Sequence, residues 1–161
     1  MLKIRPATPA DVPLVLQFIR ELAAYERARE QVEATEADLL RDGFGEQPKY
    51  RVVIAEWDGA PAGFAFFYSN YSTWRGHPGL HLEDLFVRPA FRSKGIGKAL
   101  LAHLAEIAVR ENCYGMRWNV LDWNTPAIDF YKSLGGTFLD EWLIVRFDGE
   151  PLRRLAKEAH S

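Results

Sequence analysis

Glu83 and Asp84 stand side by side in His81-Leu82-Glu83-Asp84-Leu85-Phe86-Val87, a run that reads as a strand. Neighbouring strand residues face opposite sides, so one of the two carboxylates should share a face with Leu82 and Phe86. Burying an unpaired carboxylate is costly, so such a site demands a partner, a bulge or a water-filled cleft. The same pattern also fits an edge strand with both acids in water. Shortly after this run comes Arg92-Ser93-Lys94-Gly95-Ile96-Gly97-Lys98, which leads into an amphipathic helix beginning near Ile96. Glycines at 95 and 97 let the backbone approach a ligand and turn its N–H groups inward. A helix start adds unpaired amides and the positive end of the helix dipole. With its basic side chains the segment reads as a pyrophosphate cradle, and a plain basic turn is the alternative.

Two nucleotide motifs are excluded. A P-loop needs a glycine where Arg92 stands and a hydroxyl residue where Ala99 stands. A dinucleotide fingerprint needs a small residue at Leu100 and a glycine turn directly after the strand, where Arg88-Pro89-Ala90-Phe91 intervenes. Elsewhere, Tyr131 could donate a proton, but on spacing alone it reads as a helix packing residue with a satisfied hydroxyl. Asn124 reads as a helix cap. Tyr25 and Glu26, with Glu30 and Glu33, fit a solvated helix face. Trp74 sits in the turn-like Ser72-Thr73-Trp74-Arg75-Gly76, where lining a binding site and packing over a sheet are comparable readings. His77, His81, His103 and His160 lack metal-ligand spacing and receive no role.

These residues need a scaffold. Leu2 to Arg5 reads as a strand. Thr8-Pro9-Ala10-Asp11 then signals a helix start, followed by the apolar stripe Val12, Val15, Leu16, Ile19, Leu22 and Ala23. Thr35-Glu36-Ala37-Asp38 repeats the capping pattern before a short helix ending near Asp42-Gly43. Tyr50 to Trp57 and Ala62 to Tyr71 are expected strands joined through the hairpin signal Asp58-Gly59. Leu80 to Val87 is the next strand, Ile96 to Arg110 the long helix, and Met116 to Leu121 a further strand. Asn124-Thr125-Pro126 opens a helix that stops at Leu134-Gly135-Gly136. Phe138 to Phe147 reads as closing strand structure, and a basic helical tail starts at Pro151. The expected order is β-α-α-β-β-β-α-β-α-β, a mixed α/β sheet in a single domain spanning residues 1–161.

Bulk properties narrow the partners. At 161 residues, with 48% hydrophobic and 26% charged residues, the chain can bury a core without staples. A net charge of −2 argues against a dedicated nucleic-acid binder. The single cysteine, Cys113, rules out an intramolecular disulfide and a multi-cysteine metal site. No apolar run is long enough to span a bilayer. Met1-Leu2-Lys3-Ile4-Arg5 reads as a strand rather than a signal peptide, so a cytoplasmic location is expected.

The Arg-x-x-Gly-x-Gly loop after a strand resembles the acyl-CoA pyrophosphate loop of the GNAT N-acetyltransferases. The wider chain, from Ile4-Arg5-Pro6-Ala7-Thr8 nearly to Phe147, resembles the spermidine/spermine N-acetyltransferase group and its thialysine branch. Glu21-Leu22-Ala23-Ala24-Tyr25-Glu26, Asp42-Gly43-Phe44-Gly45-Glu46 and Leu82-Glu83-Asp84-Leu85-Phe86-Val87 carry the likeness. Val120-Leu121-Asp122-Trp123-Asn124 and Phe130-Tyr131-Lys132 carry it more narrowly. The resemblance implies the GNAT acyl-CoA N-acyltransferase fold, acetyl-CoA as co-substrate, a small-molecule primary amine as acceptor, no metal and a homodimer. It makes Tyr131 the general acid and Glu83 the substrate carboxylate and water-relayed base. Leu85, Phe86 and Val87 would present backbone to the pantetheine arm. Arg92, Ser93, Lys94, Gly95, Ile96, Gly97 and Lys98 would hold the pyrophosphate. Asn124, Thr125, Pro126, Ala127 and Tyr131 would line the cofactor elsewhere. Tyr25, Glu26, Trp74, Glu83, Asp84 and Asp140 would form the amine pocket. A backbone N–H near Phe86, freed by a strand bulge, is the expected oxyanion donor. A peptide or protein lysine acceptor and a non-catalytic acyl-CoA-binding module are the competing readings.

Overall fold

Turn chemistry sets the sheet. In the computed structural model, which describes residues 1–160, strand β2 (Arg51–Trp57) turns into β3 (Ala60–Ser72) at Asp58 and Gly59. Both turn residues have positive φ, 50° and 83°, the conformation that a tight hairpin between twisted strands requires. β1 (Leu2–Pro6) and β4 (His77–Val87) flank this hairpin, and β5 (Met116–Arg117) closes the edge, giving the order β1-β2-β3-β4-β5. The first three pairings are antiparallel, and β4 with β5 is parallel. The sheet is therefore mixed, as expected.

Alternation along β2 to β4 sends one residue set to each face. Val52, Ile54, Phe64 and Phe86 pack with Val12, Val15, Phe18 and Leu22 of α1 (Val12–Tyr25) and Leu39 of α2 (Glu36–Gly43). Phe18 stacks on Phe64 at 5.1 Å and meets Phe86 edge-on at 6.4 Å. The alternate set, including Val53, Ala65, Phe67, Leu80 and Leu82, is buried on the other face, where α3 (Ile96–Arg110) packs against β3 and β4. The capping signals behave as expected. Thr35 N–H donates to Asp38 and Asp38 N–H to Thr35 Oγ1, at 3.0 and 3.2 Å.

The chain divides into two compact units, Met1–Asn119 and the part from Val120 onward. The second contains α4 (Thr125–Ser133) and the basic α5 (Gly149–Lys157). Two expected strands differ. The Met116 to Leu121 strand is confined to Met116–Arg117, and Phe138 to Phe147 forms no strand. The alternation there is real, but a strand needs a neighbouring backbone to pair with, and among the described residues this segment has none. Its side chains are left in solvent: Leu143 is 86% and Val145 79% exposed.

Candidate active site

Glu83 owes its placement to one extra residue. Along β3 and β4 the register runs Tyr68↔His81 and Phe67↔Leu82, then jumps to Phe66↔Asp84. Glu83 has no β3 partner and forms a β-bulge. The bulge resets the alternation, so Leu82 and Phe86 lie on opposite faces. This corrects the expectation that one carboxylate shares a face with both. Asp84 shares the face of Phe66 and Phe86, turned toward α1 and α2.

The three acids of this face form one electrostatic group. Burial, then the charges of Glu83 and Glu26, push the Asp84 carboxyl up to about 7. Burial also raises Glu26, which follows α1. Beside them the Tyr68 hydroxyl stands 3.5 Å from Glu83 Oε1, and His81 Nε2 is 3.6 Å from the same oxygen. Such a cluster suits a cationic guest.

Beyond His81, one edge of β4 pairs with no strand among the described residues. Arg88 N–H donates to Ala62 O at 2.8 Å, so the groups of Arg88 and, two residues back, Phe86 face β3. Those of Leu85 and Val87 face the other way, where β5 has stopped pairing after Leu80 and His81. The outward amides on this segment are thus Leu85 and Val87 rather than Phe86, and the bulge lies at Glu83. At the end of β4, Ser93 and Gly95 take positive φ of 65° and 78°, and α3 starts at Ile96 without a side-chain cap. The first-turn amides of α3 therefore have no intrahelical partner and meet the positive dipole end. Unpaired first-turn amides can bind an anionic group, and an unpaired strand edge can bind an amide-bearing chain.

The basic side chains of this loop have specific places. Arg92 Nε donates to Val87 O at 3.0 Å, and its guanidinium lies 5.0 Å from the Tyr25 ring and 6.0 Å from the Phe86 ring. This brings Tyr25 to the end of β4. Lys94 Nζ is 5.1 Å from the Trp57 ring. Arg88 clamps Glu21 through two bonds of 3.0 and 2.9 Å while lying 4.7 Å over Phe18, which pins α1 to the end of β4.

Trp74 is 93% exposed in the turn between β3 and β4. The six strand residues between it and Glu83, His77 to Leu82, put it roughly 20 Å or more away along the strand direction. It is not brought to the acids within the chain. In the second unit, Asn124 is buried and its side chain accepts from Ala127 N–H at 3.4 Å, capping α4 with Thr125 and Pro126 in the first turn. Tyr131 lies on α4, half-buried, its ring 5.6 Å from that of Phe130. Asp140 is exposed in a turn. Sequence reasoning missed Tyr68 and His81. Counting back from the pairing Ser72↔His77 would have set them opposite each other.

Known proteins point the same way. The acetyltransferase (GNAT) family profile matches residues 16–136. A thialysine N-epsilon-acetyltransferase of Bos taurus is 42% identical over 164 residues, covering 95% of this chain and 96% of that protein. A spermidine/spermine N(1)-acetyltransferase-like protein 1 of Homo sapiens is 39% identical across 97% of this chain, though the match spans only 24% of that longer protein. Among solved structures, an integron cassette protein from the mobile metagenome of V. cholerae superposes with a TM-score of 0.80 at 32% identity, covering 97% and 98% of the two chains. From the family match and the full-length relatives together, the chain belongs to the acetyltransferase (GNAT) family and is an acyl-CoA-dependent amine N-acetyltransferase.

Proposed function

We propose that this enzyme transfers the acetyl group of acetyl-CoA directly, in a ternary complex, to the terminal primary amine of a small cationic acceptor. The acceptor is thialysine or a related amino acid, or a diamine or polyamine. The observation that carries this reading is the group Glu83, Asp84 and Glu26 at the stretch of β4 that no strand pairs on one edge. The family resemblance adds a cytoplasmic homodimer. Both compact units are read as one acetyltransferase domain, because the family match runs across their boundary.

Acetyl-CoA supplies the activated thioester. The first-turn amides of α3 and the loop Arg92 to Lys98 hold its diphosphate, while outward groups of Leu85 and Val87 hold the pantetheine amides. Asn124, Thr125, Pro126 and Ala127 line the coenzyme. The family resemblance assigns Tyr25, Glu26, Asp84 and Asp140 to the amine pocket, and Trp74 also, although Trp74 stands apart from the acids within one chain. A lysine-like ammonium has a pKa of about 10.4, so near pH 7 only about one molecule in a few thousand is neutral. That handicap is roughly 4 to 5 kcal/mol. Carboxylates alone deepen it by favouring the cation, so Glu83 passes the proton outward through water while the acids orient the amine. Negative charge developing on the thioester oxygen is met by a preplaced amide of the β4 edge. Tyr131, with a phenol's ordinary pKa of about 10, protonates the departing thiolate.

The direct test is thiol release from acetyl-CoA with thialysine, lysine, putrescine, spermidine and spermine, reporting kcat/KM for each. Turnover with at least one of these is expected. Release only with a peptide lysine, or with none, overturns the small-amine reading. Tyr131→Phe should lower kcat about 100-fold or more while acetyl-CoA affinity holds, and an unchanged kcat returns Tyr131 to a packing role.

A further inference from the structure

Two side chains on neighbouring strands converge on one oxygen of Glu83. Tyr68 on β3 and His81 on β4 are cross-strand partners, their rings 4.8 Å apart. The Tyr68 hydroxyl is 3.5 Å and His81 Nε2 3.6 Å from Glu83 Oε1. His81 is the more buried member of its pair with Glu83, with side-chain exposures of 16% and 52%. Distances of this kind tighten when a site fills. Building the clamp on strand positions fixes the direction of a side chain that sits on a bulge and would otherwise swing.

Resting on the reading of Glu83 as the carboxylate that serves the amine, we infer that His81, with Tyr68, is its positioning residue. The two donors hold Oε1, which leaves Oε2 for the amine and its relay water. Held there, Glu83 presents a fixed carboxylate to a cationic acceptor. Burial and the Glu83 charge both hold Tyr68 as an un-ionised phenol, so its hydroxyl remains a donor throughout. The other charged groups around the pair are Asp84 beside Glu83, Glu26 after α1, and Arg117 in register with His81 on β5. Asp84, whose carboxyl is pushed up to about 7, weakens amine binding as it takes up a proton, so the test compares variants at each pH rather than reading one profile.

The experiment measures kcat and the amine KM from pH 5.5 to 8 for the wild type, His81→Gln, His81→Ala and Tyr68→Phe, each first checked for acetyl-CoA binding. His81→Gln keeps a donor but cannot charge. It should retain most of the wild-type kcat and amine KM, as rescue by a conservative donor. His81→Ala loses the donor and should lower kcat about tenfold at pH 8. Tyr68→Phe removes only a hydroxyl and should lower kcat several-fold, adding little on top of His81→Ala. A wild-type kcat in His81→Ala, or a loss in His81→Gln as deep as that in His81→Ala, overturns the inference. Glu83→Gln is run alongside to separate the two claims. Full turnover there removes the base reading, whereas a large loss there with wild-type behaviour in both His81 variants removes only the clamp.

Discussion

A carboxyl that holds its proton to about pH 7 ties binding and stability to pH at one residue. Folded Asp84 reaches that value through burial and the neighbouring Glu83 and Glu26 charges, against an ordinary 3.8. Between the two values the folded chain binds more protons than the unfolded one, so this residue's contribution falls as pH rises from about 4 through 7. Asp84→Asn removes the penalty. Denaturant unfolding should show the variant gaining roughly 2 to 4 kcal/mol at pH 8 and almost nothing at pH 4. An equal gain at both pH values would falsify this account. Of this group, the adjacent acids were legible as letters in the sequence. Which of them is buried was not, because hydrophobic alternation cannot locate an extra residue, and the bulge at Glu83 decides it. His81 went unread for a related reason: its partners are a bulged neighbour and a residue thirteen positions back across the hairpin.

At the level of elements, the end of β4 depends on how closely β3 approaches it. A Cβ on Gly63 would run into the Phe86 carbonyl oxygen and Val87 Cα, so the strand spacing here requires glycine. Gly63→Ala should cost about 1 to 3 kcal/mol in unfolding measurements. Because it displaces Val87, it should also weaken acetyl-CoA binding by calorimetry. Gly59→Ala makes the comparison, since a Cβ there meets nothing within 4 Å and its cost comes from positive φ alone, away from β4. Elements with a chemical signature at their ends were readable in advance. Thr35 and Asp38, Asp58 and Gly59, and Gly95 before α3 each mark a boundary that the structure keeps. The stretches from Trp118 to Leu121 and from Phe138 to Phe147 misled because strand propensity reports suitability for a sheet and not the presence of a partner.

For the whole molecule, the apolar run from Trp142 to Phe147 is the least settled surface, with Trp142 70% and Ile144 78% exposed. Side chains of this type standing in water favour contact with another surface, which agrees with the homodimer proposed above. Ile144→Asp should shift sedimentation or light scattering toward the monomer with the far-ultraviolet spectrum unchanged; an unaltered mass assigns self-association elsewhere. The early end of the β4–β5 ladder has its own consequence. Peptide groups along a sheet margin attract any passing extended chain, including another copy of the same protein. The coenzyme proposed to lie along that margin would take up the same groups and so act as a chaperone for its own enzyme. Stocks stripped of it should cloud on warming before stocks that keep it.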